Sequence, residues 1–346
     1  MTTLPAAVTA LLAITSVAAV AGQPAKPTIA VLNTNGCADE RHIDALRSLG
    51  NVVRYDETDT DAKVSERLRN ADIAIAQPFT APLKAQAFAS VKRLKLLVVC
   101  TTGYDNVDIA AATEHGVLVA NTRSYSTESV AEHAIALMLA VSRRIPVADA
   151  AMRRKPFEAL EGVPEHMPYR GFDLSGKTLG IIGLGRIGSR VAQIASQGFG
   201  MKVLAYDRSP HETPGVTFAS LDDLLKQSDV VSMHLSLSKD TAQMLNAPRL
   251  ALMKPTAILI NTARGKLVDE AALYRALQTG QISGAGLDTL DDTTANNPLL
   301  SLQNVVLSPH SAYFTQESTT RRAEEIVATV KAFVADAPVN IVNPRQ

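Results

Sequence analysis

The sequence has 346 residues, with 34 lysines and arginines balanced by 34 aspartates and glutamates. Hydrophobic residues make up 46% of the chain and charged residues 20%, which is typical of a globular protein. This composition excludes an intrinsically disordered chain. The zero net charge argues against nucleic acid as the main partner, because nucleic-acid-binding surfaces need an excess of basic side chains. At ~150 residues per domain, the length predicts about two domains.

The N-terminal segment gives mixed cues about the cellular compartment. Residues 1–25 carry no charge, and the apolar run 6–21 ends in Ala19-Val20-Ala21, which resembles a signal-peptidase site. The basic segment of a secretory signal is absent, and the run is short for a membrane span, which needs ~20 strongly apolar residues. We expect a cytoplasmic protein with no membrane segment. Three interpretations of residues 1–26 remain: a targeting segment, a disordered or weakly helical extension, and a start codon placed too early.

The two cysteines, Cys37 and Cys100, are too few for a disulfide framework. We expect two buried reduced thiols, with a single pair as the alternative. The spacing of His, Cys and Asp residues matches no common metal site, so we expect no metal.

From residue 28, short apolar runs alternate with helical patterns. Strands are predicted at 28–32, 52–55, 73–76, 95–100 and 117–120, with a helix at 39–49. Continuous apolar runs that alternate with helices are typical of a parallel sheet covered on both faces. Residues 27–122 are therefore predicted to form one α/β unit.

A second series follows a long apolar helix at 126–144, which we expect to be buried between domains or subunits. Residues 145–175 contain four prolines and are predicted to be mostly loop. Further strands are predicted at 178–182, 202–206, 230–233, 257–261, 284–288 and 305–307. Six strands with helical crossovers predict a doubly wound dinucleotide-binding fold. A last helix at 316–335 is long enough to cover the first sheet.

The strongest motif is the glycine-rich turn Gly183-Leu-Gly-Arg-Ile-Gly188, between a predicted strand and a predicted helix. Gly183 permits a tight turn, Gly185 lets a pyrophosphate approach the backbone, and Gly188 lets the helix pack closely on the strand. Asp207 ends the next strand and can accept hydrogen bonds from ribose hydroxyls. Its charge would repel a 2′-phosphate, which favours NAD, while the adjacent Arg208 keeps NADP as the alternative.

Three further polar residues lie at or just beyond predicted strand ends, where ligands bind in open α/β sheets. Arg264 can grip a carboxylate with two parallel hydrogen bonds. His310 can exchange protons near neutral pH. Asp288 is a candidate contact for the nicotinamide end of the cofactor.

These blocks together resemble the D-isomer-specific 2-hydroxyacid dehydrogenase family. The matching segments run in family order over nearly the whole chain: 101–108, 126–132, 183–188, 253–255, 261–265, 286–288 and 308–310. The resemblance implies a Rossmann nucleotide-binding domain, residues 123–311, inserted into a flavodoxin-like substrate domain, residues 27–122 plus 312–346. It also implies a homodimer, with the helix 126–144 as a candidate contact.

The resemblance further assigns a role to each matching residue. Arg264 would bind the substrate carboxylate, and His310 would protonate the carbonyl oxygen while NADH delivers hydride. Backbone N–H groups of Thr102 and Gly103 would bind the carboxylate from the other domain. The cofactor would be held by Gly183, Gly185, Arg186, Ile187, Gly188, Asp207, Thr262 and Asp288.

One departure concerns the acid that pairs with the catalytic histidine. The family normally has a Glu five residues after the position of Asp288, and counting gives Thr293. The segment 289–298 is also about two residues shorter than usual, so Asp291 or Asp292 is an alternative partner for His310. Without a carboxylate partner, we expect the pKa of His310 to be raised less than in relatives.

We therefore predict an NAD-dependent oxidoreductase that interconverts a small 2-oxo acid and its (R)-2-hydroxy acid. Glyoxylate, hydroxypyruvate and pyruvate-like acids all fit. The segment 101–108 is similar to glycerate dehydrogenases, whereas 308–315 is similar to D-lactate dehydrogenases or the corepressor branch. The alternative is an NAD-sensing binding protein with little turnover, motivated by that branch and by the missing Glu.

Overall fold

We analysed a computed structural model, which describes residues 26–33, 37–154 and 169–344. The predicted N-terminal segment up to residue 25 lies outside the described residues. None of the helices within those ranges is long and apolar enough to cross a membrane.

The first sheet is parallel and has the strand order β2-β1-β3-β4-β5. Its strands are β1 (Thr28–Leu32), β2 (Asn51–Tyr55), β3 (Ile73–Ala76), β4 (Leu96–Val99) and β5 (Leu118–Asn121). Its helices are α1 (Glu40–Leu49), α2 (Asp61–Leu68), α3 (Ala85–Ala89) and α4 (Ile109–Glu114). The residues of β3 and β4 are all buried, and separate apolar clusters cover the two faces, as a parallel sheet requires.

The second sheet is also parallel, with the strand order β12-β11-β10-β9-β6-β7-β8. Its strands are β6 (Thr178–Ile182), β7 (Lys202–Tyr206), β8 (Val216–Phe218), β9 (Val230–Met233), β10 (Ile258–Asn261), β11 (Gly284–Leu287) and β12 (Val305–Leu307). Its helices are α5 (Thr127–Ser142), α6 (Ile145–Arg154), α7 (Arg186–Phe199), α8 (Leu221–Gln227), α9 (Ala247–Leu250) and α10 (Glu270–Gln278). Helix α5 packs on α7 and on strands β10 to β12, which accounts for its apolar composition within a single chain.

The chain returns to the first sheet at its C-terminal end. Helix α11 (Gln316–Val334) packs against α1 and β4. Beyond it, Val342 donates its backbone N–H to Val119 O at 2.8 Å, and Asn343 Oδ1 accepts the N–H of Val119 at 2.7 Å. The first sheet is thus completed by the last part of the chain. The domain boundaries after residues 122 and 311 stay predictions.

The segment that leaves the first sheet is tied to this last helix. Glu325 of α11 accepts backbone hydrogen bonds from Arg123 at 2.7 Å, Ser124 at 3.2 Å and Tyr125 at 3.1 Å. One carboxylate therefore ties the segment that leaves the first sheet to the last helix, which packs on that sheet.

Two predictions about secondary structure were wrong. Residues 145–154 form helix α6, because Pro146 falls in the first helical turn, where proline costs no hydrogen bond. The second sheet has seven strands instead of six, since the short edge strand β8 pairs only with β7 and carries too few residues for a clear apolar pattern.

The prediction of two reduced thiols was also wrong, because Cys37 and Cys100 form a disulfide with 5.6 Å between their Cα atoms. Cys37 lies in the loop after β1, and Cys100 directly follows β4. Parallel strands bring their C-terminal ends to the same sheet edge, so residues 63 positions apart meet there. Both side chains are almost completely buried.

Candidate active site

A cleft of about 770 Å³ lies at the carboxyl ends of both sheets. Loops of the first sheet contribute Phe79, Thr102 and Asp105, and loops of the second contribute Arg264 and His310. Ligands of open α/β sheets bind at this edge, and here the two edges face one another.

The glycine-rich turn forms one end of the cleft. Gly183 has a φ of +95°, and a Cβ atom there would lie 2.9 Å from the backbone of His234. A Cβ on Gly188 would lie 2.2 Å from Gly183 O, so the start of α7 contacts the turn too closely for any side chain. Gly185, the N-cap of α7, faces open space. The free N–H groups and positive dipole end of α7 can therefore meet an anion.

The two residues between these glycines differ in their position. Ile187 lines the cleft, whereas Arg186 is exposed and lies outside the cleft wall. A pyrophosphate at this turn would therefore meet the backbone of Arg186, or its side chain after a change of rotamer.

The carboxylate of Asp207 lies beside the same turn. Its Oδ2 accepts the N–H of Leu184 at 2.8 Å, and its Oδ1 accepts the N–H of Ser209 at 2.9 Å. Each oxygen keeps a second lone pair. The charge of Asp207 is thus fixed at the end of β7, where a ribose hydroxyl can reach it.

Two polar atoms in the cleft wall are buried and have no hydrogen-bond partner among the described residues, Thr262 Oγ1 and His234 Nδ1. Burial lowers the pKa of His234 to about 4, so its ring is neutral at pH 7. Buried polar atoms normally have partners, so these two point to polar ligand atoms. Together with the glycine-rich turn and Asp207, they fit a dinucleotide.

Arg264 follows β10 and is held in a bidentate ion pair across the cleft. Its Nε and Nη2 atoms donate to Asp105 Oδ1 at 3.1 and 2.9 Å, and its Nη1 donates to Ala263 O at 2.8 Å. Burial raises the pKa of Asp105, but the hydrogen bonds and charge of Arg264 outweigh burial and hold that pKa below its usual value. Of the five N–H groups of the guanidinium, one on each terminal nitrogen remains for another anion.

The loop that faces Arg264 has room for no side chain at Gly103. A Cβ atom there would lie 1.6 Å from Arg264 Nη2. The backbone N–H groups of Thr102 and Gly103 donate to no residue in the described part of the chain. Their carbonyls are held by Asn121 Nδ2 at 2.6 Å and Thr101 Oγ1 at 2.6 Å. Two free amides therefore lie next to a guanidinium.

His310 has a left-handed backbone conformation, with a φ of +53°. Its N–H donates to Asp288 O at 2.9 Å, and its ring meets Phe79 and Tyr313 edge-on, with ring centroids 5.5 and 6.0 Å away. Burial and the charge of Arg264 lower the pKa of His310, and the opposing charges of Asp288 and Asp105 do not fully compensate.

Asp288 is buried and accepts three hydrogen bonds from the His310 loop. They come from Ser308 Oγ at 2.6 Å, Ser311 N at 2.9 Å and Ala312 N at 3.0 Å. Asp288 therefore shapes the loop that carries His310 as well as lining the cleft.

The shortened segment after Asp288 contacts the turn behind Arg264. Glu270 accepts the backbone N–H groups of Asp291 and Asp292, and a Cβ on Gly265 would lie 2.2 Å from Leu290 C. Asp292 Oδ1 accepts the N–H of Thr294 at 2.9 Å, and Asp291 Oδ1 lies 3.8 Å from the Nζ atom of Lys266. Thr293 is exposed. Within the described ranges, no carboxylate forms a hydrogen bond with the His310 ring.

Sequence reasoning missed two contributors to this site. Asp105 lies inside the quoted segment 101–108, but only the fold reveals that its partner is Arg264. Phe79 follows β3 in a segment with no motif, so no local signal pointed to it.

Comparison with known proteins identifies the family. Residues 135–312 match the model described as D-isomer specific 2-hydroxyacid dehydrogenase, NAD binding domain. A glyoxylate reductase of Korarchaeum cryptofilum is 41% identical over 297 residues, which cover 83% of this chain and 88% of that protein. The chain belongs to the D-isomer-specific 2-hydroxyacid dehydrogenase family.

Solved structures agree with this assignment. A D-lactate dehydrogenase from Aquifex aeolicus, complexed with NAD and lactic acid, has a TM-score of 0.81 at 35% identity and covers 92% of this chain and 100% of its own. An acyclic imino acid reductase in complex with NADPH and D-Arg has a TM-score of 0.84 at 34% identity. The match covers 91% of this chain and 99% of that chain. The predicted family, fold class and oxidoreductase class are confirmed, and the cofactor class is a nicotinamide dinucleotide.

Proposed function

We propose that this dehydrogenase reduces a small 2-oxo acid to its (R)-2-hydroxy acid with NADH, and catalyses the reverse reaction. The observation that carries the proposal is the meeting of three groups in one cleft: the guanidinium of Arg264, the imidazole of His310 and the glycine-rich turn. A guanidinium holds the carboxylate, an imidazole exchanges the alcohol proton, and the turn holds the dinucleotide.

The cofactor would be held at Gly183, Gly185, Arg186, Ile187 and Gly188, by Asp207 at the adenosine ribose, and by Thr262 and Asp288 at the nicotinamide half. When bound, NADH supplies the hydride. The fixed charge of Asp207 supports NAD, because a 2′-phosphate would meet a carboxylate whose position is set by two backbone donors. Asp207→Ala should therefore narrow the preference for NADH over NADPH, as measured by kcat/KM with each cofactor.

The substrate carboxylate would bind at the two guanidinium N–H groups that Asp105 and Ala263 leave free. The amides of Thr102 and Gly103 would complete the site from the opposite side. Charged donors and backbone amides in a partly buried cleft give the carboxylate short, oriented hydrogen bonds. A substrate held in this way would present its 2-oxo group to His310.

His310 would act as the acid in reduction and as the base in oxidation. Because its pKa is lowered, the ring loses its proton below the ordinary value of about 6.5. Reduction, which needs the protonated ring, should decline at a lower pH than for an unperturbed histidine. Oxidation, which needs the neutral ring, should stay active further into the acid range.

A panel of 2-oxo acids tests the proposal, with glyoxylate, hydroxypyruvate and pyruvate as the first three. The names of the relatives, glyoxylate reductase and D-lactate dehydrogenase, support this range of small acids. His310→Ala should lower kcat by about 10³-fold, within the range for general acid–base groups, while NADH affinity stays within about threefold. If wild type and variant both bind NADH and neither oxidises it with any acid, the protein is an NAD-sensing binding protein instead.

We further propose a homodimer and the domain boundaries 27–122 plus 312–346 and 123–311. Light scattering on the full chain tests the dimer, and a mass of one chain would contradict it. Hydrogen exchange of the backbone amides tests the boundaries, because each domain is expected to open as a cooperative unit that ends near residues 122 and 311.

A further inference from the structure

Three polar side chains form a hydrogen-bonded chain behind the His310 loop. His133 of α5 lies with its Nε2 atom 2.8 Å from Ser308 Oγ, and Ser308 Oγ lies 2.6 Å from Asp288 Oδ1. Asp288 has a fully buried side chain, whereas the His133 side chain is 27% exposed. His133 does not line the cleft, so an effect of this residue on the reaction would have to pass through other residues.

The hydrogen bonds of this chain can run in only one direction, from His133 through Ser308 to Asp288. Both oxygens of the Asp288 side chain accept backbone N–H groups, and the Ser308 hydroxyl, which has one hydrogen, donates to Asp288 Oδ1. The Nε2 atom of His133 must then donate to Ser308 Oγ. The neutral Nε2–H tautomer and the imidazolium both satisfy this requirement. Ser308 is therefore not the nucleophile of a hydrolytic triad, because its proton is donated to the carboxylate and not to a histidine.

The hydrogen-bonded chain of His133, Ser308 and Asp288 ends at the backbone groups that hold His310. Asp288 accepts N–H groups from Ser311 and Ala312 through its side chain, and the N–H of His310 through its carbonyl. His310 itself has a left-handed conformation, which costs energy for a residue other than glycine and persists only when neighbours enforce it. The other end of the chain is anchored on α5, which packs on strands β10, β11 and β12.

We propose that His133 is a positioning residue for the reaction proposed above, holding the His310 loop in its reactive conformation through Ser308 and Asp288. The proposal rests on the proposed function, since its effect on rate requires turnover. Helix α5 would then position the His310 loop in addition to packing on the sheet, and Ser308 would connect His133 to Asp288.

Kinetics of variants along the chain test this role. His133→Ala should lower kcat by about 10–100-fold, the range known for groups that orient metal-binding side chains. The KM of the 2-oxo acid should stay within threefold, because Arg264, Thr102 and Gly103 are untouched. His133→Gln should restore most of the rate, since its amide can donate to Ser308 Oγ. Glu132→Gln, at the adjacent exposed position of α5, is the matched control and should behave like wild type.

Ser308 variants give a second, independent test. Ser308→Ala should lose kcat to the same degree as His133→Ala, and the double variant should lose little more, because both residues act in one chain. Ser308→Thr keeps the hydroxyl and should keep the rate. If His133→Ala fails to fold, His133→Gln and the protonation of the His133 ring in the wild type, measured as below, decide the question.

Several results would overturn the proposal. They are a kcat for His133→Ala within twofold of wild type, a His133→Gln variant as slow as His133→Ala, or additive losses in the double variant. A ¹⁵N spectrum of the seven histidines separates this failure from failure of the proposed function. If wild type turns over no 2-oxo acid, the proposed function fails. A His133 ring protonated only on Nδ1 overturns the chain of hydrogen bonds, whatever the activity.

Discussion

The two sides of the cleft are built in different ways. On the cofactor side, the decisive geometry belongs to the backbone: a positive φ at Gly183, a close approach at Gly188 and two N–H groups that fix Asp207. On the substrate side, it belongs to side chains from separate elements, such as Arg264 with Asp105. A site made of backbone is encoded locally, whereas a site made of side-chain pairs exists only once the chain has folded.

The largest expected effect concerns the one covalent tie on the substrate side. Cys100 directly precedes the loop with Thr102 and Gly103, and its disulfide to Cys37 closes a span of 63 residues. The chain-entropy relation for a loop of that length gives about 4 kcal/mol of stabilisation. Reduction of the wild type should lower the free energy of unfolding by up to about that amount, as measured by urea unfolding with and without reductant.

A Cys37→Ala, Cys100→Ala double variant is the control, and reductant should not change its stability. Two free thiols in wild type that is denatured without reductant would contradict the disulfide. Disulfides persist mainly in oxidising compartments, which conflicts with the predicted cytoplasmic location. An oxidising compartment would favour the alternative in which the uncharged residues 1–25 are a targeting segment. Cell fractionation of the full chain decides between the cytoplasm and an oxidising compartment.

The second largest effect concerns two glycines on the cofactor side. A Cβ on Gly188 would press against the backbone of Gly183, which cannot rotate away, so Gly188→Ala should cost about 1–3 kcal/mol of stability. Gly185 faces open space, so Gly185→Ala should leave the melting temperature within about 2 °C and weaken NADH binding instead. Thermal unfolding and NADH fluorescence titration separate the two. Equal losses of stability in both variants would show that backbone packing does not distinguish these glycines.

The same contrast explains how much the sequence could predict. The strands 28–32, 178–182 and 202–206 were predicted to the residue, because apolar runs in a parallel sheet are continuous and local. Arg264 and His310 were found because each follows such a run. The disulfide, Phe79 and the role of Asp105 were not predictable, since each depends on which loops meet at a shared sheet edge. The partner of His310 remained open for the same reason, and the fold directs the segment 289–297 toward Glu270.

Asp105→Asn is expected to have the smallest effect, yet it tests whether the substrate side depends on its side-chain pair. The variant removes the charge that holds Arg264 and also one of the two negative charges that favour protonated His310. The pKa of His310 should therefore fall further, and the decline of reduction with rising pH should begin at a lower pH than in wild type. The kcat/KM for the 2-oxo acid should fall by about tenfold, because the guanidinium loses the negative charge of its partner and keeps only an amide oxygen as acceptor.

Asp292→Asn is the matched control for this pH profile, because Asp292 is exposed and its Oδ1 accepts the N–H of Thr294. Its profile should coincide with that of wild type. A large shift with Asp292→Asn and none with Asp105→Asn would mean that the shortened segment reaches His310 during catalysis. The acid partner would then come from the cofactor side of the cleft. A shift with Asp105→Asn alone means that Asp105 supplies negative charge to His310 across the cleft, from the same domain that supplies the free amides of Thr102 and Gly103.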